Sequence, residues 1–322
     1  MLTNSTFQMK KYLLTIGLSL AFLSYEAQAQ TPITVKKASV TRHGPDKGSL
    51  IIIGGGGATP EIWKRFTDLA GGKEKAKIVV ITAAGGDSAA FDKKSVELVK
   101  RETGIANVTL LHTNDLKEAN SEKFVAPLRT ATGVYIVGGR QWRIAASFLN
   151  TLTHQAFQEV LDRGGVISGT SAGASIQGSV LWRGDTKGAH ILVGDHIQGL
   201  GFLNNSVIDQ HLFRRNRQFD LVEFVRNSPE LIGIGLDEAT SIVVQKDTLE
   251  VVGRSYVTIY DYNTIVGSGE KHVKDGREIS TASSGPFFFL HEGQKYDLKS
   301  RKVIEAPGRK RNEEVLSGNK GK

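Results

Sequence analysis

The feature that most constrains the fold is a series of short, continuous apolar runs rich in β-branched residues. They cover 50–57 (LIIIGGGG), 76–86, 108–112, 134–139 and 165–168. Runs without polar alternation are typical of strands buried on both faces, as in a parallel sheet. Helix-compatible stretches separate them at 59–70, 93–103, 141–149 and 154–163. This alternation predicts an α/β fold, a doubly wound sandwich with a mostly parallel sheet.

The pattern changes after Leu231. Two further strands are predicted over 233–244 and 249–260, followed by short β pieces around 286–290. Neither an internal repeat nor a linker is visible. The sequence therefore predicts one α/β domain over 30–294.

The first 29 residues have the pattern of a secretory signal peptide. Lys10 and Lys11 precede an apolar run over 12–23, and the small-residue site AQA follows at 27–29. About a dozen apolar residues are too few to span a bilayer. We expect cleavage after Ala29, export to a periplasm or the medium, and no membrane attachment afterwards.

The positive charge is concentrated at the carboxyl end. The formal net charge is +8, of which +5 lies in 295–322, and only +2 remains for 30–294. We interpret 295–322 as a flexible, solvated tail and expect no nucleic-acid partner. Binding of nucleic acid by this tail is the alternative, and it would be sensitive to salt.

The chain has no cysteine. A cysteine nucleophile, a disulfide framework and a cysteine-ligated metal site are therefore excluded. We expect no metal and no cofactor.

A nucleophile elbow is predicted at GTSAG, residues 169–173. It follows a buried strand directly and precedes a helix-compatible stretch, which is the context that such a turn requires. Ser171 is then the nucleophile, and the amide of Ala172 can donate to an oxyanion at the helix N-terminus. A turn that only packs, or that binds phosphate through its amides, is the alternative.

A serine nucleophile needs a base and an acid that orients it. His211 follows the strand-like 206–208 and is the favoured base, with His190 and His196 as alternatives. Glu238 ends another apolar run and is the favoured acid, while Asp185 competes with it.

The glycine cluster at 54–57 does not match a nucleotide loop. It lacks the G-K-[ST] of a P-loop, and Thr59 stands at the last glycine of G-x-G-x-x-G. We interpret it as a loop at the floor of the active site.

Five ordered blocks resemble the serine-type cyanophycinase group, which is related to the α-aspartyl dipeptidases called peptidase E. They are IIIGGGGATPEIW, VYIVGGRQ, VISGTSAGA, IDQHLFRRNR and GIGLDEATSIVV, between about residues 48 and 266. The resemblance implies a fold similar to class I glutamine amidotransferases, hydrolysis of aspartyl peptide bonds, and a homodimer.

The resemblance also implies roles for individual residues. It makes Ser171, His211 and Glu238 a catalytic triad, and it adds the amide of Gly139 to that of Ala172 in the oxyanion hole. Cyanophycinases cleave a polyaspartate backbone that carries arginine, releasing β-aspartyl-arginine. The substrate-binding residues implied by the group are Gln141, Asp209, Gln210, Arg215 and Arg217.

Two positions depart from the group's pattern. Arg140 stands where an acidic or amide residue usually follows VGG, and Asp220 stands where a third arginine is usual. Asp220 is expected to invert the local charge of a carboxylate-binding site. Other aspartyl or isoaspartyl peptides therefore stay open as substrates, as does a non-catalytic polymer-binding protein on the same fold.

Overall fold

The computed structural model describes residues 42–262, 271–274, 277–280 and 288–304. Its strands form two larger sheets and a two-stranded ribbon. The predicted signal segment 1–29 lies outside the described residues, as does 305–322 of the predicted tail 295–322. The first ten residues of that tail are not a flexible segment, because they contain two strands of the larger sheet and bury Tyr296 and Leu298. The strands are β1 Ser49–Ile53, β2 Ile78–Ile81, β3 Val108–Leu111, β4 Gly133–Ile136, β5 Val166–Thr170, β6 Gly178–Val180, β7 Leu203–Gln210, β8 Ile232–Leu236, β9 Thr240–Gln245, β10 Thr248–Gly253, β11 Val257–Asp261, β12 Lys271–Lys274, β13 Arg277–Ser280, β14 Phe288–Leu290, β15 Lys295–Asp297 and β16 Lys302–Ile304.

The α-helices of the described residues are short to medium in length. Those predicted from the sequence begin and end within a few residues of the predicted bounds. They are α1 Pro60–Leu69, α2 Lys93–Thr103, α3 Leu116–Ala119, α4 Glu122–Val125, α5 Gln141–Phe148, α6 Leu152–Asp162, α7 Ala172–Ser175 and α8 Asp220–Arg226.

One half of the nine-stranded sheet is parallel and the other half is antiparallel. Its order is β16-β15-β10-β9-β1-β5-β4-β2-β3, and the five strands from β1 to β3 in this order pair in parallel. The other four pair antiparallel, and hairpins join β9 to β10 and β15 to β16. The α/β prediction is confirmed, with the parallel pairing of this sheet confined to the half from β1 to the edge strand β3.

Both faces of this sheet are covered. Along β1, Leu50 and Ile52 join one hydrophobic cluster, and Ile51 and Ile53 join another. The first cluster includes α5, α6 and the five-stranded sheet β14-β11-β8-β7-β6, and the second includes α1 and α2. Burial of both faces explains the unbroken apolar runs in the sequence.

The predicted strands over 233–244 and 249–260 are each divided in two. β8 and β11 belong to the smaller sheet, whereas β9 and β10 belong to the larger one. The first break falls at 237–239, where Ala239 has a φ of 52°, and the second follows Gly253. An apolar run cannot reveal such a crossing because both halves are buried strands. The first crossing carries Glu238 to the ends of β1 and β7.

Candidate active site

Ser171 lies in a strained turn between β5 and α7. Its φ of 54° and ψ of −112° lie outside the regions that a serine usually adopts. The glycines on either side have no room for a side chain. A Cβ on Gly169 would lie 2.1 Å from the carbonyl oxygen of Gly173, and one on Gly173 would lie 2.2 Å from that of Ile136. Strand and helix therefore pass closely enough to force Ser171 into the turn.

His211 meets Ser171 from the end of β7. The distance between Ser171 Oγ and His211 Nε2 is 2.9 Å, within hydrogen-bond range. His211 also has a positive φ, 54°, and its amide donates to the carbonyl of Gly54 at 2.8 Å. Two strained residues are thus held against each other by the surrounding backbone.

Glu238 contacts the other ring nitrogen of His211. Its Oε1 lies 2.6 Å from Nδ1, so the imidazole is held between a hydroxyl and a carboxylate. Asp185, the competing acid, instead accepts hydrogen bonds from the amides of Lys187 and Asp195 in its own loop. The geometry therefore joins Ser171, His211 and Glu238 in one hydrogen-bonded series.

The pKa of His211 is lowered below its ordinary value. Burial is the main cause, and the positive charges of Arg215 and Arg217 add to it, while the hydrogen bond with Glu238 opposes it. A lowered pKa keeps the imidazole neutral near pH 7, which is the state that can accept a proton from a hydroxyl.

The glycine loop at 54–57 packs directly against the histidine and the glutamate. A Cβ on Gly55 would lie 2.2 Å from Cε1 of His211, and one on Gly56 would lie 2.6 Å from Cβ of Glu238. The amide of Ala239 donates to the carbonyl of Gly55 at 2.8 Å. The loop thus forms the floor beneath the imidazole, where the sequence places it.

Two backbone amides near Ser171 are the candidates for the oxyanion hole that the resemblance implies. That of Ala172 opens α7 and has no acceptor inside the helix. That of Gly139 makes no hydrogen bond to another group in the part of the chain that the structure describes. Gly139 has a φ of 146°, and a Cβ there would lie 2.3 Å from the carbonyl oxygen of Ala84. The neighbouring Gly138 lies close to Ser171, because its Cβ position is 3.7 Å from Oγ.

Comparison with known proteins decides the family. The model of peptidase family S51 matches residues 50–252, more than half of the chain. The chain belongs to peptidase family S51. It is therefore a serine-type peptidase.

This S51 peptidase is similar to several cyanophycinases. It is 30% identical over 269 residues to one from Synechococcus elongatus, which covers 81% of this chain and 83% of the relative. It is 31% identical over 266 residues to one from Geminocystis herdmanii, with coverages of 80% and 96%. A crystal structure of a peptidase from an acI-B1 Actinobacterium matches with a TM-score of 0.56 and 24% identity, covering 79% of this chain and 98% of that one. This last likeness shows the fold alone.

The residues with implied substrate roles occupy different environments in this S51 peptidase. Gln141 is buried, and its amide donates to the carbonyl of Trp182 at 2.8 Å. Asp209 and Arg217 are also buried, and Arg217 donates to the backbone carbonyl and the side-chain oxygen of Gln210. Arg215 is exposed and, among the described residues, its guanidinium has no hydrogen-bond or ion-pair partner.

The two departures from the group's pattern have their own partners. Arg140 donates to the carbonyl of Asp185 at 2.8 Å. Asp220 pairs with Arg183, a residue to which the sequence analysis assigns no role. The expected inversion of charge is wrong, because Arg183 balances Asp220 from a different loop. In the sequence, the acidic residue at 220 indicates that a compensating cation is needed nearby, but it does not identify Arg183 as that cation.

Two further searches cover only the described ranges. No group of three or more His, Cys, Asp or Glu residues there is arranged to hold a metal ion. None of the helices in those ranges is long and apolar enough to cross a membrane.

Proposed function

We propose that this protein is an exported serine peptidase that hydrolyses cyanophycin, multi-L-arginyl-poly-L-aspartate, to β-aspartyl-arginine dipeptides. The observation that carries the proposal is the series Ser171–His211–Glu238, with contacts of 2.9 and 2.6 Å. Similarity to cyanophycinases over about four-fifths of the chain supports the substrate. The signal pattern in 1–29 supports export.

In the acylation step, Ser171 attacks an aspartyl carbonyl carbon while His211 takes its proton at Nε2. Glu238 holds the Nδ1–H and stabilises the imidazolium that forms. The amides of Ala172 and Gly139 donate to the oxyanion, where the positive end of the short helix adds to their effect. The amine leaves with the proton from His211, and an ester of Ser171 remains.

In the deacylation step, water takes the place of the leaving amine. His211 removes a proton from this water as it attacks the ester, and the tetrahedral oxyanion occupies the same pair of amides. Collapse returns the proton to Ser171 and releases the aspartyl carboxylate. The reaction consumes one water for each peptide bond, and this proposed mechanism uses no metal or cofactor.

Arg215 is the proposed contact for a substrate carboxylate. Its guanidinium is exposed, lies near His211 and can bind a carboxylate bidentately. In cyanophycin the β-carboxyls are amidated by arginine, and the free carboxylates of these arginines recur at regular intervals, so one positioned cation next to the base can fix the register of the polymer. A homodimer, as the resemblance implies, stays a prediction.

A second candidate keeps the enzyme and changes the substrate. Arg140 follows the proposed oxyanion residue Gly139 directly, and no carboxylate pairs with it among the described residues. A cation at this point favours anionic substrates, such as short α- or β-aspartyl peptides. The alternative from another class is a non-catalytic polymer-binding protein. The hydrogen-bonding contacts among Ser171, His211 and Glu238 argue against this alternative.

The direct test is incubation of the purified protein with cyanophycin and with short α- and β-aspartyl peptides, followed by identification of the products. The proposal expects β-aspartyl-arginine from wild type and none from Ser171→Ala. Ser175→Ala is the matched control, because Ser175 lies four residues further on and its buried hydroxyl has no hydrogen-bond partner among the described residues. Cleavage by Ser171→Ala at the wild-type rate would overturn the mechanism.

A further inference from the structure

The residues that follow β8 hold the segment that follows β7. The two strands pair in parallel, so both segments leave the five-stranded sheet at the same end. The carbonyl of Leu236 accepts from the amide of Leu212 at 3.1 Å. Two residues further on, Glu238 Oε1 lies 2.6 Å from His211 Nδ1. Asp237 stands between these two contacts and takes no part in the proposed acylation or deacylation.

The carboxylate of Asp237 binds the backbone of the turn that begins at His211. Its Oδ1 accepts from the amides of Phe213 and Arg214, each at 3.1 Å. Its Oδ2 accepts from Ser255 Oγ at 2.8 Å, which fixes the carboxylate from the other side. An oxygen that accepts from two consecutive amides holds a turn in the same way as an N-cap side chain holds the first turn of a helix.

This turn needs an external restraint. His211 has a φ of 54°, a backbone conformation that residues other than glycine rarely adopt and that persists only where the surroundings impose it. The amide of Arg215 donates to the carbonyl of His211 at 3.0 Å, so one turn carries both the imidazole and a guanidinium. Contacts to the amides between these two residues therefore control where both groups lie.

We propose that Asp237 is a positioning residue for His211, holding the turn so that the imidazole faces Ser171. The inference rests on the proposed function, in which His211 is the base. Glu238 orients the ring through Nδ1, whereas Asp237 fixes the backbone from which the ring projects. The two adjacent acids thus have separate tasks, and the task of Asp237 requires a hydrogen-bond acceptor rather than a negative charge.

Loss of this restraint should change the pKa of His211 in a characteristic direction. Burial lowers this pKa, and the hydrogen bond with Glu238 raises it. The charges of Arg215 and Arg217 lower the pKa further, whereas the charge of Asp237 is not among the causes. Asp237→Ala frees the turn, so water reaches the ring and Arg215 can move away, and both changes raise the pKa. Asp237→Asn keeps an oxygen that can accept from both amides, and asparagine caps as well as aspartate, so the pKa should stay unchanged.

The first test does not depend on activity. The full-length protein is labelled with [13Cε1]histidine and titrated by NMR, and His211→Gln identifies the signal of His211 among the eight histidines. The midpoint should move to higher pH by roughly half a pH unit or more in Asp237→Ala and should not move in Asp237→Asn. An unchanged midpoint in folded Asp237→Ala, or a move to lower pH in either variant, would overturn the inference. Should Asp237→Ala not fold, Asp237→Asn alone decides, because a purely electrostatic role predicts the move to lower pH in that variant.

The second test uses cyanophycin as the substrate. Asp237→Ala should lower kcat by about tenfold or more and move the acid limb of kcat/KM to higher pH, and Asp237→Asn should restore both. Ser255→Ala is the matched control, because it removes the contact at Oδ2 and leaves both amide contacts, so kcat should stay within about threefold of wild type. Equal losses in Asp237→Ala and Asp237→Asn would overturn the inference. Should wild type not cleave cyanophycin, the proposed function fails, while the titration still decides the role of Asp237.

Discussion

A Cβ on Gly55 would lie 2.2 Å from Cε1 of the His211 imidazole. The ring therefore packs directly against the backbone of Gly55, which has no side chain. The amide of His211 donates to the neighbouring carbonyl of Gly54. The glycine loop at 54–57, which follows β1, thus determines how closely the imidazole approaches Ser171.

Gly55→Ala should displace the imidazole. The added methyl group cannot share space with the ring, and loss of the 2.9 Å contact should lower kcat by about 100-fold, as expected when a general base is mispositioned. Steady-state kinetics measure the loss, and circular dichroism checks the fold. Gly57→Ala is the matched control: its φ of 87° imposes similar backbone strain, but its Cβ would meet no atom within 4 Å. Equal losses in both variants would show that strain, and not contact with His211, is responsible.

Glu238→Gln should remove the carboxylate that fixes the tautomer of His211. The amide that replaces it can donate an N–H to Nδ1, which favours the wrong tautomer, and it has no charge to stabilise the imidazolium. The comparable change in other triads lowers kcat by about 10⁴-fold. Asp185→Asn is the comparison, and kcat should stay within about threefold of wild type, because Asp185 binds loop amides instead of the base. If the larger loss occurred in Asp185→Asn, Glu238 would not be the acid.

The dependence of kcat/KM on pH, which reports the pKa values of the free enzyme, should have an acid limb with a midpoint below about 6.5, the ordinary histidine value. The mechanism needs neutral His211, whose pKa is lowered chiefly by burial and further by Arg215. Removing that positive charge makes protonation easier. Arg215→Met should therefore raise the pKa of His211 and move the acid limb to higher pH.

Arg214→Met provides the control for this shift. Arg214 is an exposed neighbour whose charge is not among the causes that lower the pKa of His211. At low ionic strength, the pH profile of Arg214→Met should match that of wild type. An acid limb that moved to lower pH in Arg215→Met would contradict the assignment of His211 as the base.

Arg183→Met should be strongly destabilising. It leaves Asp209 buried beside Asp220 without the bidentate partner, and breaking a buried ion pair in this way costs about 3–5 kcal/mol. Asp220→Asn should cost less, since Asp220 is 33% exposed and Arg183 keeps its bond to Asp209. Urea unfolding of both variants gives the free energies. The reverse order of stability would show that Asp220, not Asp209, anchors Arg183.

The sequence predicts the parallel half of the larger sheet well and its antiparallel half poorly. Continuous apolar runs reveal β1, β2, β4 and β5 because those strands are buried on both faces, and the edge strand β3 is half-buried but still largely apolar. The same signal merges β8 with β9 and β10 with β11, since a strand that crosses to the other sheet stays apolar throughout. What divides them is the backbone at Ala239 and Gly253, which hydrophobicity does not record.

The candidate site shows a similar division. Ser171 has a local motif, His211 follows a predicted strand and Glu238 ends an apolar run, so their convergence is expected from the topology of the sheet. Arg183 has no motif. Its partner Asp209 is 26 residues away and Asp220 is 37, and only the folded loop brings them together. From the sequence alone, an arginine in a loop that pairs with distant carboxylates cannot be distinguished from an arginine that is solvated.

The most direct test of the central claim is covalent labelling with a serine-reactive fluorophosphonate, read by mass spectrometry alongside residual activity. The triad predicts one adduct per chain on the peptide containing Ser171, with hydrolysis lost in proportion. Pretreatment should leave Ser171→Ala unmodified and Ser175→Ala fully labelled. Complete inactivation of wild type without an adduct on Ser171, or full activity after stoichiometric labelling of Ser171, would contradict the account.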